Sequence, residues 1–101
     1  MIIVSILYEK PDRFDQDYYL TQHMPMVRDR WSQELTGTRV LKGVPGPDGG
    51  APAFAIIAEL SFASMAAVQQ AMSGPHAQEI FADVANFTDV SPRQLISEVL
   101  G

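Results

Sequence analysis

His23 is the residue in this sequence best suited to transferring a proton. It follows Tyr19 by one helical turn and precedes Pro25, in a segment whose apolar residues recur at helical spacing. An imidazole takes up or releases a proton near neutral pH, and a phenol beside it can donate a hydrogen bond to a substrate oxygen. The pattern therefore predicts His23 as general acid or base, Tyr19 as the polarising hydroxyl, and Met26 as a neighbouring ligand contact. The alternative is a buried histidine that only holds the helix break at Pro25 in place.

A second candidate group lies where the last predicted helical stretch ends. It consists of Asp83, Asn86 and Phe87. A carboxylate or an amide there can orient His23 or contact a ligand, although such residues also cap helix ends. Phe87 is expected either to line the pocket or to fill the core.

Three glutamates, Glu9, Glu59 and Glu98, lie late in predicted strands. A carboxylate in such a position can reach into a cavity and serve as a base, but strand ends are also where charges meet water. We take Glu59 as the ligand-contacting member and expect the other two to be solvated. His76 follows Pro75 at a helix start and is expected at the surface, so the two histidines predict no metal site.

The composition excludes several classes of function. The chain of 101 residues contains no cysteine, so disulfides, thiolate metal sites and a cysteine nucleophile are ruled out. A net charge of −5 disfavours nucleic acid as a partner. The opening apolar run is too short for a membrane span and lacks the features of a signal peptide, so we expect a cytoplasmic protein. No phosphate loop or dinucleotide motif is present, and no cofactor is expected.

The elements that must position these residues follow from the periodicity of the chain, which predicts a single domain over residues 1–101. A strand at 2–8 precedes a helix at 14–35, capped by Asp15 and interrupted at Pro25. Strands at 36–44 and 53–62 flank the proline- and glycine-rich turn 45–52 and predict an antiparallel hairpin. Ser64 caps a helix at 65–72, a further helical stretch continues to about 87, and the last strand covers 93–100. The order βαββαβ predicts an α+β, ferredoxin-like fold with a four-stranded antiparallel sheet and both helices on one face.

Both faces of the predicted sheet are apolar, which two helices on one side cannot cover. In the first strand Ile2, Val4 and Ile6 share one face, while Ile3 and Leu7 lie on the other. Leaving such aliphatic side chains in water costs about 1.5 kcal/mol or more each. The simplest solution is a homodimer in which two sheets stack face to face, with a lined cavity between them. A monomer with an apolar sheet surface is the alternative.

Three segments resemble the EthD-like family, which is named for ethyl tert-butyl ether degradation. They are YYLTQHMPMV at 18–27, FASMAAV at 62–68 and DVANFTD at 83–89, and they occur in the family's order. His23 falls at the position of the family's histidine. The resemblance implies a dimeric α+β barrel, within a superfamily of cofactor-free oxygenases, isomerases, small decarboxylases and haem proteins. It does not select one reaction.

The leading functional hypothesis is a small enzyme, or a pathway accessory, that binds an apolar carbonyl or aromatic compound in the barrel. His23 would abstract a proton next to a carbonyl while Tyr19 polarises the oxygen, as in cofactor-free isomerases, decarboxylases and oxygenases. A second hypothesis is a non-catalytic ligand-binding or stress-related barrel in which His23 is structural. A third, by analogy with the superfamily, is haem binding.

Overall fold

One antiparallel sheet is the frame of the molecule, which the computed structural model describes over residues 1–101. Its strands are β1 (Ile2–Tyr8), β2 (Leu35–Lys42), β3 (Ile56–Phe62) and β4 (Arg93–Glu98). Their spatial order is β2-β3-β1-β4, and every neighbouring pair is antiparallel. This arrangement confirms the predicted α+β fold with ferredoxin-like topology.

The first helical region carries His23. It consists of α1 (Gln16–Tyr18), a π-helical turn (Tyr19–His23) and α2 (Met24–Arg30). The Asp15 carboxylate accepts a hydrogen bond of 3.0 Å from the Tyr18 backbone N–H, which confirms the predicted N-cap. The polar cap therefore fixes where the helix begins.

The interruption predicted at Pro25 is a widened turn instead of a break. The Met24 N–H donates to the Tyr19 carbonyl, five residues back, and the helix then continues through Pro25. Proline lacks an N–H and its ring collides with the carbonyl four residues earlier in a regular helix. A π-helical turn just before Pro25 gives that carbonyl more room, and such turns are frequent at functional sites.

Two details of the predicted helix are wrong. The helix ends at Arg30 and not at position 35, because Leu35 already opens β2. Met24 and Trp31 are buried, whereas Met26, which was predicted as a ligand contact beside His23, is only partly buried. The π-helical turn holds an extra residue, and this shifts which of the following side chains face the sheet.

The second helical region is divided into three short pieces. They are α3 (Met65–Ser73), α4 (Ala77–Ala82) and a 3₁₀ helix (Asp83–Asn86). Ser64 caps α3 by accepting a hydrogen bond from the Ala67 N–H, as predicted. Phe81 is 39% exposed, so it lies at the rim of the core and not inside it. No helix in the chain is both long and apolar enough to cross a bilayer.

The helices cover one face of the sheet and leave the other open. On the covered face the side chains of β1 and β3 alternate into the core, where Val4 and Phe62 are fully buried. On the open face the strand register aligns Leu7 with Ile57 and Ile57 with Leu41, giving a half-buried aliphatic row. The fold therefore has the predicted sheet with two apolar faces, of which the helices cover one.

Candidate functional site

His23 and Asp83 are joined by a hydrogen bond across the two helical regions. The His23 Nδ1 lies 2.8 Å from the Asp83 Oδ2, although the residues are 60 positions apart in the chain. His23 is 4% exposed, and its partner carboxylate is 14% exposed. The π-helical turn carries the imidazole, and the 3₁₀ helix carries the carboxylate. The fold thus brings together two of the residues singled out in the sequence.

Asp83 is held by three donors. Its Oδ1 accepts hydrogen bonds from the Tyr18 hydroxyl at 2.7 Å and from the Asn86 Nδ2 at 2.8 Å. With His23 on Oδ2, both carboxylate oxygens are occupied and the side chain has a fixed orientation. Asn86 therefore orients Asp83 and is otherwise exposed to solvent.

The surroundings set the charges of this group. Burial lowers the pKa of His23 below its ordinary value, and the hydrogen bond and charge of Asp83 oppose that shift without reversing it. Burial alone raises the pKa of Asp83, but hydrogen bonds from Asn86, Tyr18 and His23 bring that pKa below its ordinary value. At neutral pH the group is therefore a neutral imidazole beside a carboxylate. Because a carboxylate can only accept, the proton resides on Nδ1 and the lone pair is on Nε2.

Aromatic rings enclose the imidazole. It stacks on Tyr19 with ring centroids 5.3 Å apart and tilts against Phe87 at 4.7 Å. Tyr8, Phe14, Tyr19 and Phe87 contact one another in all six pairings. Burial raises the pKa of Tyr19 to about 12, so its hydroxyl stays protonated at neutral pH. Phe87 is fully buried and serves as the centre of this cluster.

A small apolar cavity borders His23 between the helices and the sheet. Its volume is about 20 Å³, room for about one water molecule. Twelve of its fourteen lining residues are hydrophobic, and Tyr8, Tyr19, His23 and Trp31 supply the polar atoms among them. The His23 Nε2 makes no hydrogen bond within the chain, and it is not among the fully enclosed unpaired atoms. An imidazole nitrogen with a free lone pair therefore lies in the wall of a mostly apolar space.

A wider groove adjoins this cavity on the outside. It has a volume of about 580 Å³ and runs between the end of α4, the 3₁₀ helix and the start of β4. Phe81, Val84 and Pro92 line both the groove and the cavity. These three side chains therefore separate the enclosed space at His23 from the open surface.

Arg13 clamps the segment that carries Asp83, and sequence reasoning missed it. Its guanidinium donates to the carbonyl oxygens of Ala85 at 2.9 Å, Thr88 at 3.0 Å and Asn86 at 3.4 Å. In return the Thr88 hydroxyl donates to the Arg13 carbonyl at 2.7 Å. Backbone acceptors are common to every residue, so no sequence pattern could have indicated this contact. Sequence reasoning also missed Tyr18. It lies in the segment that resembles the EthD-like family, but the role of a functional hydroxyl was assigned to its neighbour Tyr19.

The remaining predicted residues lie away from His23. Met26 is partly buried against the core and does not line the cavity. Glu59 is on the open face of the sheet, where Arg39 donates to it at 2.7 Å. Glu9 lies 3.6 Å from Arg93 in an exposed ion pair, and Glu98 is exposed.

The structure also separates two parts of the expected site. His23 lies on the helix-covered side of the sheet, whereas a chamber between two stacked sheets would lie on the open side. Successive side chains of a strand point to opposite faces of the sheet, so the two faces line separate spaces. A ligand held between two sheets therefore could not touch the imidazole, and the relevant space for His23 is the cavity under the helices.

Comparison with known proteins gives consistent matches. The sequence model of the EthD domain matches residues 8–91. An uncharacterised 11.0 kDa protein from the thcB–thcC intergenic region of Rhodococcus erythropolis is 31% identical over 101 residues, covering 97% of this chain and 94% of its own.

Solved structures agree with the sequence matches. An EthD-like protein from Ralstonia eutropha JMP134 is 37% identical with a TM-score of 0.90, over 99% of this chain and 92% of its own. An ethyl tert-butyl ether degradation family protein from Bacillus halodurans C-125 is 24% identical with a TM-score of 0.81, over 99% of both chains. A dimeric ferredoxin-like protein from Jannaschia sp. CCS1 is similar in fold, at 13% identity and a TM-score of 0.66 over 98% of this chain and 100% of its own.

Proposed function

The chain belongs to the EthD domain family, and from that premise we propose that it binds a small apolar carbonyl or aromatic compound beside His23. There His23 transfers a proton to or from the carbon next to the carbonyl. One observation carries this proposal: Asp83 holds the Nδ1 at 2.8 Å, which leaves the Nε2 lone pair free beside an apolar cavity. A base with this arrangement is neutral, fixed in orientation and partly shielded from water.

The proton transfer uses groups already described. The Nε2 lone pair takes a proton from the carbon, which leaves an enolate, and the imidazole becomes an imidazolium. The Asp83 carboxylate stabilises that positive charge through the Nδ1–H bond. Tyr19 lines the same cavity and its hydroxyl remains protonated, so we expect that hydroxyl to donate to the enolate oxygen. The imidazolium then returns the proton to the same or to another carbon.

A resonance-stabilised anion is the shared first product of several reactions. Isomerisation, decarboxylation and cofactor-free oxygenation all pass through such an anion, and the site supports the class without selecting a member. The cavity beside His23 has a volume of only about 20 Å³, so the bound compound must also extend into the adjoining groove. Movement of Phe81 would join the two spaces.

A second candidate is a non-catalytic barrel in which the same bonds form a structural clip. Tyr18, His23 and Asn86 all converge on Asp83, and this would fasten the first helical region to the second without any reaction. Haem binding stays a prediction from the resemblance to the family, because no contact of His23 favours it.

We further propose that the chain is a homodimer built on the open face of the sheet. The aliphatic row of Leu7, Ile57 and Leu41 lies beside the ion pair of Arg39 and Glu59. A second copy stacked on this face would remove the row from water. The dimeric ferredoxin-like protein from Jannaschia shares this fold, which supports association into a dimer.

The proposed reaction is tested by deuterium exchange into an enolisable aryl ketone. With α-tetralone in deuterium oxide, the wild-type protein should accelerate exchange next to the carbonyl, and His23→Asn should lose about 100-fold or more of that acceleration. Asparagine keeps a donor for Asp83 but cannot act as a base, so the clip survives. His76→Ala, which removes the other histidine, is the matched control and should exchange at the wild-type rate. Equal acceleration by wild type and His23→Asn would refute the role of His23 and favour the clip.

A further inference from the structure

Two side-chain polar atoms in the molecule are fully enclosed and have no hydrogen-bond partner: the Trp31 Nε1 and the Glu34 Oε2. An indole nitrogen can only donate, and an enclosed N–H without an acceptor is unfavourable. Such groups in folded proteins call for an explanation, and a bound ligand or an ordered water is one of the usual ones.

Trp31 shares the cavity of His23. Its ring is 2% exposed, lines that cavity and meets Phe81 edge-on with centroids 6.5 Å apart. Phe81 also lines the outer groove, so Trp31 lies just inside the three side chains that separate groove and cavity. The remaining walls of the cavity are mainly aliphatic, and its other polar residues, Tyr8, Tyr19 and His23, accept no hydrogen bond from the Trp31 Nε1.

From this placement we infer that the Trp31 Nε1–H binds an acceptor oxygen on the ligand and so selects compounds that carry one. The inference rests on the proposed function and narrows its ligand class to apolar molecules that carry a carbonyl oxygen. A hydrocarbon of the same shape would leave the indole N–H unpaired and bind more weakly. A site that supplies a donor rejects an analogue lacking the acceptor more strongly than it rejects a small change in size.

The competing explanation is an internal partner. Glu34 follows Trp31 by three residues. Its unpaired oxygen could accept a hydrogen bond from the indole N–H if the side chains rotate toward each other. In that case the donor is already used within the protein, and it has no part in choosing a ligand. The two explanations differ in whether the indole N–H forms a hydrogen bond to a ketone when the ketone binds.

Trp31 is the only tryptophan in the chain, so one indole N–H signal in a proton–nitrogen-15 NMR spectrum reports on it. The full-length protein is titrated with α-tetralone and, separately, with tetralin, the hydrocarbon of the same ring skeleton. We expect the ketone to move the indole proton signal downfield and tetralin to leave it nearly in place. The ketone should also bind about three- to tenfold more tightly than tetralin.

Mutants extend the same comparison. Trp31→Phe should bring the two affinities together by weakening the ketone alone, and Glu34→Gln should preserve the wild-type preference. The inference is overturned if the ketone shifts the His23 signals while the indole signal stays in place. It is equally overturned if Glu34→Gln moves the indole signal upfield in the free protein, since the donor is then paired internally. If neither compound perturbs any cavity signal, the proposed function fails and this inference with it.

Discussion

The two faces of the sheet hold their polar groups in opposite ways. On the helix-covered face, Asp83 accepts three hydrogen bonds and His23 is wedged between aromatic rings. On the open face, Glu59 has a single ion pair with the neighbouring strand, and the Arg39 side chain is 69% exposed. The carboxylate of the covered face is paired at both oxygens within one chain, whereas that of the open face is not.

This difference is what we expect between a reactive site and an association surface. A carboxylate with fixed donors keeps its charge and its orientation, which a general base needs from its partner. A single exposed ion pair contributes little to stability in water. Its contribution becomes important only when another surface covers it. We therefore propose proton transfer for the covered face and dimerisation for the open face.

Removing the charge at Asp83 should have the largest effect. In Asp83→Asn the Nδ1–H loses its carboxylate, and the developing imidazolium has no counter-charge. Exchange of α-tetralone should therefore slow by about 100-fold or more, measured as above, while the oligomeric state stays unchanged. Asp17→Asn, an exposed carboxylate on α1, is the control and should match the wild type. A loss of less than threefold in Asp83→Asn would remove the reactive role from the covered face.

A charge on the open face should break association and leave the reactive site intact. Ile57→Lys places an unpaired cation in the aliphatic row and should raise the dimer dissociation constant about 100-fold, measured by sedimentation. Ala51→Lys, in the exposed loop before β3, should not change it. A wild-type protein that sediments as a monomer at micromolar concentration would contradict the assignment of this face.

Loss of the Arg13 clamp should lower the free energy of unfolding more than it weakens association of the dimer. Arg13→Ala leaves the carbonyls of Ala85, Asn86 and Thr88 without their charged donor, and unfolding in urea should show a loss of about 1–2 kcal/mol. Arg13→Lys keeps the charge but not the forked donors, so its stability should lie between the two. Equal stability of the wild type and the alanine variant would show that the clamp contributes nothing.

Mild acid should produce the smallest effect, and only through the covered face. The pKa of His23 is lowered in the folded protein, so below about pH 6.5 the unfolded chain binds a proton that the folded chain does not. Stability from His23 should therefore fall as the pH drops through that value, by at most about 1.4 kcal/mol per pH unit. The His23→Asn variant should lose this part of the slope between about pH 6.5 and 5. A wild-type slope of opposite sign over that interval would contradict the lowered pKa.

The sequence alone could predict the strands, the helices and the candidate site residues, but not which of those residues contact one another. The alternation in β1 and β3 indicated both faces, and Asp15 and Ser64 marked the helix starts, because these signals are local. The bond between His23 and Asp83 spans 60 positions and depends on how two helical regions meet. Pro25 indicated an interruption, but residue types did not show that it would be a π-helical turn, whose extra residue decides which side chains then face the sheet.

The Arg13 clamp and the distance of Glu59 from His23 were missed for different reasons. Arg13 binds backbone carbonyls more than 70 positions away, which leave no pattern of residue types. Glu59 alternates with buried neighbours in β3, so its face could be read from the strand. It was assigned to the same site as His23 because the chamber and the histidine were expected to coincide.

The protonation of His23 is the most direct test of this account. Nitrogen-15 NMR of the imidazole, assigned with the His76→Ala variant, reports both the tautomer and the pKa. We predict a neutral ring at pH 7 with its proton on Nδ1, and a pKa below 6.5 even with the opposing charge of Asp83 in place. A ring that carries its proton on Nε2, or that is positively charged at pH 7, would contradict the account, because neither form leaves a base facing the cavity.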